Sequence, residues 1–398
     1  MDRLLRNFMA LLGLFMIVSG PVAAQSPVSG WSSSDISRLK AWISAAPEDA
    51  LPVLDTRKLD QAVASGGATM ASTEARNLAL KLAEMHLVGR ARASERRGWN
   101  IVDTDSVAGL PPMLDHALAD GTLDTFFAML RPAHAEYSAL RAAYAKESDP
   151  ARRLAIARNM ERWRWMPRSL GSDYVLVNTA KFEADLWRGG DKVGNWRVIV
   201  GKLSTPTPVF DATITGVILN PWWEIPDSIV RESVGSLVRR NPSLARARGY
   251  VWSNGRYRQK PGPNNALGQM KLVMPNRFSV FMHDTPNKDL FDKEVRAFSH
   301  GCIRTGDAIG YAATLLEGVK TREEVDAIVK AGKTTQIDLS TPLPLYIAYF
   351  TAVSDGKGGV ELLNDLYGRD SRIREVVDAT GEAVHMAASG CVMTGAEG

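Results

Sequence analysis

Two short stretches of this sequence, FMHDTP at residues 281–286 and SHGCIR at residues 299–304, carry the residue types of a nucleophilic site. His283 ends an apolar run that predicts a strand, which would hold its side chain in place. Cys302 follows a glycine, so the backbone there can turn and direct amide N–H groups toward one point. A cysteine needs a base or a positive environment to become a thiolate near neutral pH, and His283 lies only 19 positions before Cys302. The stretches predict a cysteine nucleophile with a histidine base, an oxyanion hole of backbone amides and, in Arg304, a planar donor for a carboxylate.

The same residues permit a second interpretation, a zinc site. His283, His300 and Cys302, with Asp284, offer three or four ligands, so spacing alone leaves a zinc hydrolase open. The cysteine nucleophile is favoured, because a free thiol in an exported protein is otherwise a liability.

The N-terminus has the parts of an export signal. Arg3 and Arg6 form a basic start, an apolar run covers residues 8–18, and small residues before Gln25 fit a signal-peptidase site. The run is shorter than the roughly 20 residues that span a bilayer, although a retained anchor is the alternative. We expect a signal peptide at residues 1–24, no stable membrane span in the mature protein, and a location in the periplasm.

Composition excludes several classes of protein. The chain has 398 residues, of which 45% are hydrophobic and 23% are charged, which rules out a disordered, collagenous or polytopic membrane protein. A net charge of +4 is too mild to imply a nucleic-acid partner, but it suits weak attraction to an anionic polymer. Two cysteines, Cys302 and Cys391, allow at most one disulfide bond.

Apolar periodicity divides the chain into a helical part, residues 25–150, and a strand-rich part that follows. We expect the histidines of the helical part to be surface or boundary residues. The arginine-rich helix at 151–164 is expected to present a solvated basic face and to pack its tryptophans inward. Short alternating segments joined by Gly/Asp turns then predict an antiparallel sheet or sandwich, interrupted by a basic helical insertion at about 227–260. Strands are predicted at 174–178, 182–187, 196–201, 213–219, 271–274, 278–283 and 345–353, and helices at 308–316 and 322–331.

The histidine at 283 and the SHGC motif at 299–302 resemble the signature of the L,D-transpeptidases with a YkuD catalytic domain. The resemblance covers roughly residues 155–375 and is closest to the larger YcbB-type subgroup, to whose helical scaffold residues 31–145 are more loosely similar. It implies an α+β fold: a mixed β-sandwich-type catalytic domain at 151–375 with a capping insertion, preceded by a helical scaffold domain at 25–150 and followed by a tail at 376–398. The further motifs that carry it lie at 161–167, 200–202, 207–210, 220–226, 258–268 and 365–370.

The resemblance also implies roles for individual residues. Cys302 would be the nucleophile and His283 the general acid/base, with the backbone carbonyl of Asp284 orienting the imidazole. No metal and no organic cofactor would be needed. The oxyanion hole and substrate pocket would be lined by Ser299, His300, Gly301 and Arg304.

The reaction that the resemblance implies is peptidoglycan cross-linking. A tetrapeptide stem would acylate Cys302 with loss of its terminal D-Ala, and the side-chain amine of a second stem would accept the acyl group in a 3→3 bond. Acylation by carbapenems is expected as well. The same site can instead pass the acyl group to water, to a free D-amino acid or to an outer-membrane protein, and a non-catalytic wall-binding scaffold is the alternative of another class.

Two features depart from the larger relatives. No separate peptidoglycan-binding repeat is visible between the helical part and residue 161, so wall recognition would rest on the catalytic domain, its cap or a protein partner. Cys391 lies in the predicted tail and is expected to be dispensable, whereas a bond between it and Cys302 would inactivate the enzyme.

Overall fold

The computed structural model describes residues 30–374, which are mainly helical up to residue 163 and rich in strands after it. The predicted α+β fold class is therefore confirmed. The predicted signal peptide at 1–24 lies outside the described residues, as does the whole of the predicted tail at 376–398, including Cys391. None of the helices within residues 30–374 combines the length and apolar character needed to cross a membrane.

The α-helices form where apolar residues recur every three or four positions, and those before residue 130 pack their stripes into one core around Leu39, Leu82 and Phe127. Side-chain caps fix several starts, such as the capping box of Ser32 and Asp35. The helices are α1 Ser33–Ala45, α2 Arg57–Ala64, α3 Ala68–Val88, α4 Leu110–Ala119, α5 Leu123–Met129, α6 Ala135–Tyr144, α7 Pro150–Trp163, α8 Asp227–Ile229, α9 Gly235–Arg240, α10 Pro242–Ala247, α11 Ala308–Leu315 and α12 Arg322–Ala331.

The strands build one large mixed sheet and two small ones. Eight of them close into a ring in the order β5, β13, β2, β3, β4, β12, β10, β9, because β9 pairs back with β5. β2 and β13 run parallel, as do β10 and β12, so the sheet is not purely antiparallel. The strands are β1 Trp99–Asn100, β2 Tyr174–Asn178, β3 Glu183–Arg188, β4 Asp191–Gly201, β5 Val209–Leu219, β6 Trp223–Glu224, β7 Tyr250–Ser253, β8 Arg256–Gln259, β9 Met270–Val273, β10 Met282–His283, β11 Ala297–Ser299, β12 Ile303–Thr305, β13 Thr335–Ala348, β14 Ala352–Ser354 and β15 Val360–Leu362.

Four predicted strands have clearly different bounds in the structure, and those predicted at 196–201 and 213–219 begin earlier, at Asp191 and Val209. The strand predicted at 278–283 shrinks to Met282–His283, because the Asn276 side chain accepts from the amides of Phe278 and Val280 and makes a turn there. The strand predicted at 345–353 begins ten residues earlier and ends at Ala348. Hydrophobic alternation in the sequence reveals neither the turn at Asn276 nor the strand pairing that sets the bounds of the strand that ends at Ala348.

The expected solvated basic face of the helix at 151–164 is wrong at its C-terminal end. Arg162 and Arg164 are fully buried, next to the equally buried Glu161. The Glu161 carboxylate accepts from the amides of Arg90 and Ala91, each at 2.7 Å, and pairs with Arg164 at 3.2 Å. Buried charges are stable only when they are paired in this way. This cluster joins the end of α3 to α7, and through α7 to the strands.

The insertion at about 227–260 contains α8, a π-helical turn at Val230–Val234, α9, α10 and the hairpin β7–β8. β6 pairs with β8, so the hairpin is attached to the chain that enters the insertion. We refer to residues 227–260 as the cap. The domain boundary at 150/151 stays a prediction, because one hydrophobic core includes residues of both α6 and α7 together with outer-face residues of β2.

His86 is not a surface or boundary residue, as expected, but is buried in α3. Its two ring nitrogens have no hydrogen-bond partner within the described residues, and the Trp42 ring meets it edge-on at 6.1 Å. Burial is the main cause that lowers the pKa of His86 to about 3. The folded state therefore requires the neutral imidazole.

This requirement predicts acid sensitivity. The folded pKa of His86 lies below the unfolded value of about 6.5, so its contribution to stability is complete above pH 6.5 and is lost as the pH falls toward 3. Below pH 6.5, His86 should make the parent protein lose about 1.4 kcal/mol of unfolding free energy for each pH unit, and the substitution His86→Leu should abolish this loss. Urea unfolding at a series of pH values measures the slope. The exposed His116→Gln serves as control, and an unchanged slope for His86→Leu would contradict the assignment.

Candidate active site

A row of three basic side chains crosses the strands at the candidate site. β10 runs parallel to β12 with His283 opposite Arg304, and β9 on the other side of β10 places Lys271 opposite His283. Residues opposite one another on adjacent strands point to the same face of a sheet. Their neighbours Met282 and Ile303 are buried in the core, so the row faces away from it.

Cys302 lies against this row. It comes two positions before Arg304, and alternation along the strand puts both side chains on the same face. The backbone of Phe281 lies close enough to the Cys302 thiol to lower its pKa. Beside it, the amide of Ile303 donates to the Phe281 carbonyl at 2.9 Å. The pairing of these two very short strands brings the segments that carry His283 and Cys302 side by side. That the two side chains act together stays a prediction.

The His283 imidazole is buried and its orientation is fixed. Its Nδ1 lies 2.5 Å from the backbone oxygen of Asp284. A carbonyl oxygen can only accept, so Nδ1 carries the hydrogen and Nε2 is left as an acceptor. Burial, assisted by the positive charge of Arg304, lowers the pKa of His283 to about 3. The imidazole is therefore neutral at physiological pH and able to take a proton.

The Cys302 thiol has the opposite tendency. Burial raises its pKa above the ordinary value, while the Phe281 backbone and the charges of Lys271 and Arg304 act in the lowering direction. A thiol with a raised pKa and a histidine with a lowered pKa are both uncharged at neutral pH.

Lys271 is a site residue that sequence reasoning missed. Its ammonium lies 3.6 Å from the centre of the Phe281 ring, and burial lowers its pKa. Within residues 30–374, neither Lys271 nor Arg304 forms an ion pair with a carboxylate. Glu224 acts on Lys271 only from beyond ion-pair distance, so these two half-buried cations near Cys302 form a place for an anionic group. Only the register of β9 with β10 reveals this position, and register is not readable from the sequence.

The turn before Cys302 is tightly bonded. Gly301 has φ +108°, a conformation that favours glycine, and its amide donates to Ser299 Oγ at 3.1 Å. The Ser299 hydroxyl in turn donates to the carbonyl of Cys302 at 2.5 Å. The Gly301 amide is therefore engaged, whereas the Cys302 amide has no hydrogen-bond partner in the described part of the chain. Cys302 N–H is the donor that this turn leaves available for an oxyanion.

Thr207 supports the turn from below. Its buried hydroxyl donates to the Gly301 carbonyl and accepts from the Gly201 amide, both at 2.9 Å. The Tyr367 hydroxyl donates to the Gly201 carbonyl at 2.6 Å. A Cβ on Gly201 would lie 2.1 Å from the Thr205 oxygen, so only glycine fits there. These contacts hold Gly201, Thr207 and Tyr367, which lie far apart in the sequence, around the turn before Cys302.

The His300 side chain contacts the cap, and its predicted place in the oxyanion hole or the substrate pocket stays a prediction. Its side chain is 41% exposed, and Nε2 lies 2.9 Å from the Glu232 carboxylate. The Lys202 ammonium approaches the same nitrogen at 3.3 Å. Glu232 belongs to the π-helical turn of the cap, so His300 connects the catalytic turn to the cap.

The candidate zinc ligands do not converge. The Asp284 carboxylate accepts from the Gln269 amide at 2.9 Å and from the Lys288 ammonium. Gly268, with φ +59°, lies so close to this carboxylate that a Cβ would be 2.3 Å from it. His300 points to the cap, as described above. No group of three or more His, Cys, Asp or Glu side chains in residues 30–374 is arranged to hold a metal ion.

The Thr207 support can be tested without altering the nucleophile. Replacing Thr207→Val keeps the shape but leaves the Gly201 amide and the Gly301 carbonyl without their partner, which should cost about 1–3 kcal/mol of unfolding free energy. The loosened turn should also change the rate of Cys302 alkylation by iodoacetamide. The exposed Thr213→Val on β5 is the control. Identical stability and alkylation in both variants would rule out the supporting role.

Comparison with known proteins identifies the strand-rich part. Residues 172–326 match the family model of the L,D-transpeptidase catalytic domain, YkuD. A Haemophilus influenzae protein named "Putative L,D-transpeptidase" is 30% identical over 251 residues, which cover 58% of this chain and 50% of that protein. The chain thus matches about half the length of this relative.

Solved structures of distant similarity bear the same name. An L,D-transpeptidase from Mycobacterium smegmatis is 10% identical with a TM-score of 0.25, covering 44% of this chain and 58% of its own. L,D-transpeptidase 3 from Mycobacterium tuberculosis is 15% identical with a TM-score of 0.25, covering 44% and 61%. These scores are too low to carry an argument. The family match does not depend on them: residues 172–326 are similar to L,D-transpeptidase catalytic domains of the YkuD type.

Proposed function

We propose that this protein is a peptidoglycan L,D-transpeptidase that forms 3→3 cross-links through a thioester on Cys302. The proposal is supported by the similarity of residues 172–326 to this family and by a buried, neutral His283 whose strand pairs with the segment that follows Cys302. Cys302 and His283 have the chemistry of a nucleophile with its general base. The cap, the catalytic domain and the helical scaffold are proposed with the bounds given above.

The first half-reaction forms the acyl-enzyme. The Cys302 sulfur attacks the carbonyl carbon of the L-centred third residue of a tetrapeptide stem, and the thiol proton passes to His283 Nε2. The negative oxygen that forms is stabilised by the Cys302 amide. The C–N bond to the terminal D-Ala breaks, His283 returns the proton to the leaving amine, and a thioester remains.

The second half-reaction transfers the acyl group. The side-chain amine of the diamino acid in another stem attacks the thioester carbonyl, and His283 takes a proton from that amine. The C–S bond breaks and the Cys302 sulfur regains a proton. A neutral imidazole suits both steps, because it must accept a proton before it donates one.

The two unpaired cations fit the charge of such a donor. The terminal D-Ala carries a carboxylate next to the scissile bond, and Lys271 and Arg304 flank the sulfur that attacks it. An ion pair in a half-buried cleft is stronger than one in water and orients the stem.

The remaining assignments follow from the same proposal. We place the protein in the YcbB-type subgroup and in the periplasm, with its signal peptide removed. Its partners are tetrapeptide stems as donor and acceptor, together with proteins of wall synthesis, and carbapenems acylate Cys302. No metal or organic cofactor takes part in the proposed steps.

Replacing Cys302→Ala should abolish dimer formation from disaccharide-tetrapeptide fragments, because no other group can form the acyl-enzyme. Mass spectrometry of the products, with and without an amine acceptor, measures the outcome. Cys391→Ser is the matched control, since it removes the other thiol of the chain. Full activity of Cys302→Ala would disprove the assignment, and a product shortened by one residue without dimers would point to hydrolysis.

Replacing Lys271→Met should raise the pKa of the Cys302 thiol further, because a neighbouring positive charge that lowers it is lost. Below that pKa the thiolate fraction falls, so iodoacetamide alkylation should slow measurably at a given pH. Lys271→Arg keeps the charge and should retain most of the rate. The pH profile of alkylation distinguishes this effect from misfolding. An identical profile in Lys271→Met would remove Lys271 from the site.

A further inference from the structure

The charges of this chain are unevenly distributed, and the segment that includes most of the cap is strongly basic. Residues 233–283 contain no aspartate or glutamate, although they contain nine lysines and arginines. The whole chain has a net charge of only +4, so the rest of it is net negative. This uninterrupted basic run begins directly after Glu232 and ends at His283.

Most of the basic side chains of the cap are exposed and unpaired. Arg256 and Arg258 pair with Glu224, at 3.8 and 2.6 Å. The remaining lysines and arginines of the cap form no ion pair with a carboxylate within the described residues. We call these six residues the basic surface: Arg231, Arg239, Arg240, Arg246, Arg248 and Lys260.

Folding alone does not explain the basic surface. Three of its arginines lie in the last turns of α9 and α10, where the helix dipole favours a cation. That contribution is a few tenths of a kcal/mol to about 1 kcal/mol for each residue and does not account for the absence of acidic residues over the whole run. Like charges crowded on a small subdomain repel one another and destabilise it. A negatively charged partner would offset this repulsion.

The basic surface is continuous with the catalytic cleft. Glu232, at the start of the basic run, contacts His300 in the turn before Cys302. Lys271, within the run, stands in the row with His283 and Arg304. At the base of the cap, Asn265 donates to the carbonyls of Pro221 and Lys260, so the cap is firmly tied to the strands that carry the row. A polyanion held on the cap is thereby held next to Cys302.

We propose that the basic surface of the cap is a docking site for a carboxylate-rich polymer, namely peptidoglycan strands with ionised stem peptides. This inference rests on the proposed function and extends it: the cap binds the polymer electrostatically, and the cleft selects one stem from it. Ionised stems supply the complementary charge along the strand, while Lys271 and Arg304 supply cations of the same sign at the cleft. Such binding raises the association rate and weakens with salt.

The test measures binding separately from catalysis. Purified sacculi are pelleted with the mature protein carrying Cys302→Ala, which prevents turnover. In the same background, Arg239→Gln, Arg240→Gln, Arg246→Gln and Arg248→Gln are combined and should weaken binding at least about tenfold at low salt. A control that loses four charges elsewhere should bind like the parent; it combines Lys58→Gln, Lys81→Gln, Lys330→Gln and Lys333→Gln.

Two further experiments separate the role of the polymer's carboxylates from the role of the catalytic cleft. Amidating the carboxylates of the sacculi should abolish the difference between parent and cap variant. In the active protein, the four cap substitutions should leave acylation of Cys302 by a small soluble donor unchanged, because they lie outside the cleft. If no donor acylates the parent, the proposed function fails while the binding result still stands.

Three results would overturn the docking proposal. The first is equal pelleting of the cap variant and the parent. The second is undiminished binding of the parent to amidated sacculi. The third is tighter binding to phosphatidylglycerol vesicles than to sacculi, which would make the basic surface a membrane contact.

Discussion

The parallel pairing of β10 with β12 is the constraint on which the site depends. Only two residue pairs define it, Met282 with Ile303 and His283 with Arg304. Successive side chains on a strand point to opposite faces, so Met282 and Ile303 enter the core while His283 and Arg304 point away from it. The core thus determines that the histidine, the arginine and the adjacent cysteine share one face. A shift of one residue in either strand would turn His283 or Arg304 toward the core and Met282 or Ile303 away from it.

Burial on this face sets the proton chemistry. The same desolvation that lowers the pKa of His283 raises that of Cys302, so the resting pair is uncharged. Two flanking cations favour the thiolate once the proton has moved, and they also suit an anionic donor. The Ser299–Gly301 turn and Thr207 hold the sulfur where this balance applies. The packing of the strands beneath the site therefore determines both the positions of these side chains and the shifts of their pKa values.

Sequence reasoning reached the fold class and the residues around Cys302 because they depend on local signals. Alternation, glycine turns and the histidine–cysteine spacing are all visible along the chain. Lys271 was missed because its role depends on strand register across a long loop. The buried Arg162 and Arg164 were misjudged because composition favours a solvated arginine unless its partner, here Glu161, is known. The contact of His300 with Glu232 could not be predicted, because it depends on how the cap folds back over the turn.

The most direct measurement of the central claim is the intact mass of the protein after incubation with a disaccharide-tetrapeptide and no amine acceptor. The account predicts an adduct equal in mass to the donor minus its terminal D-Ala. Peptide mapping should locate the adduct on Cys302, and mild hydroxylamine should release it as expected for a thioester. An adduct on any other residue, or a protein that releases D-Ala without any covalent adduct on Cys302, would contradict the account.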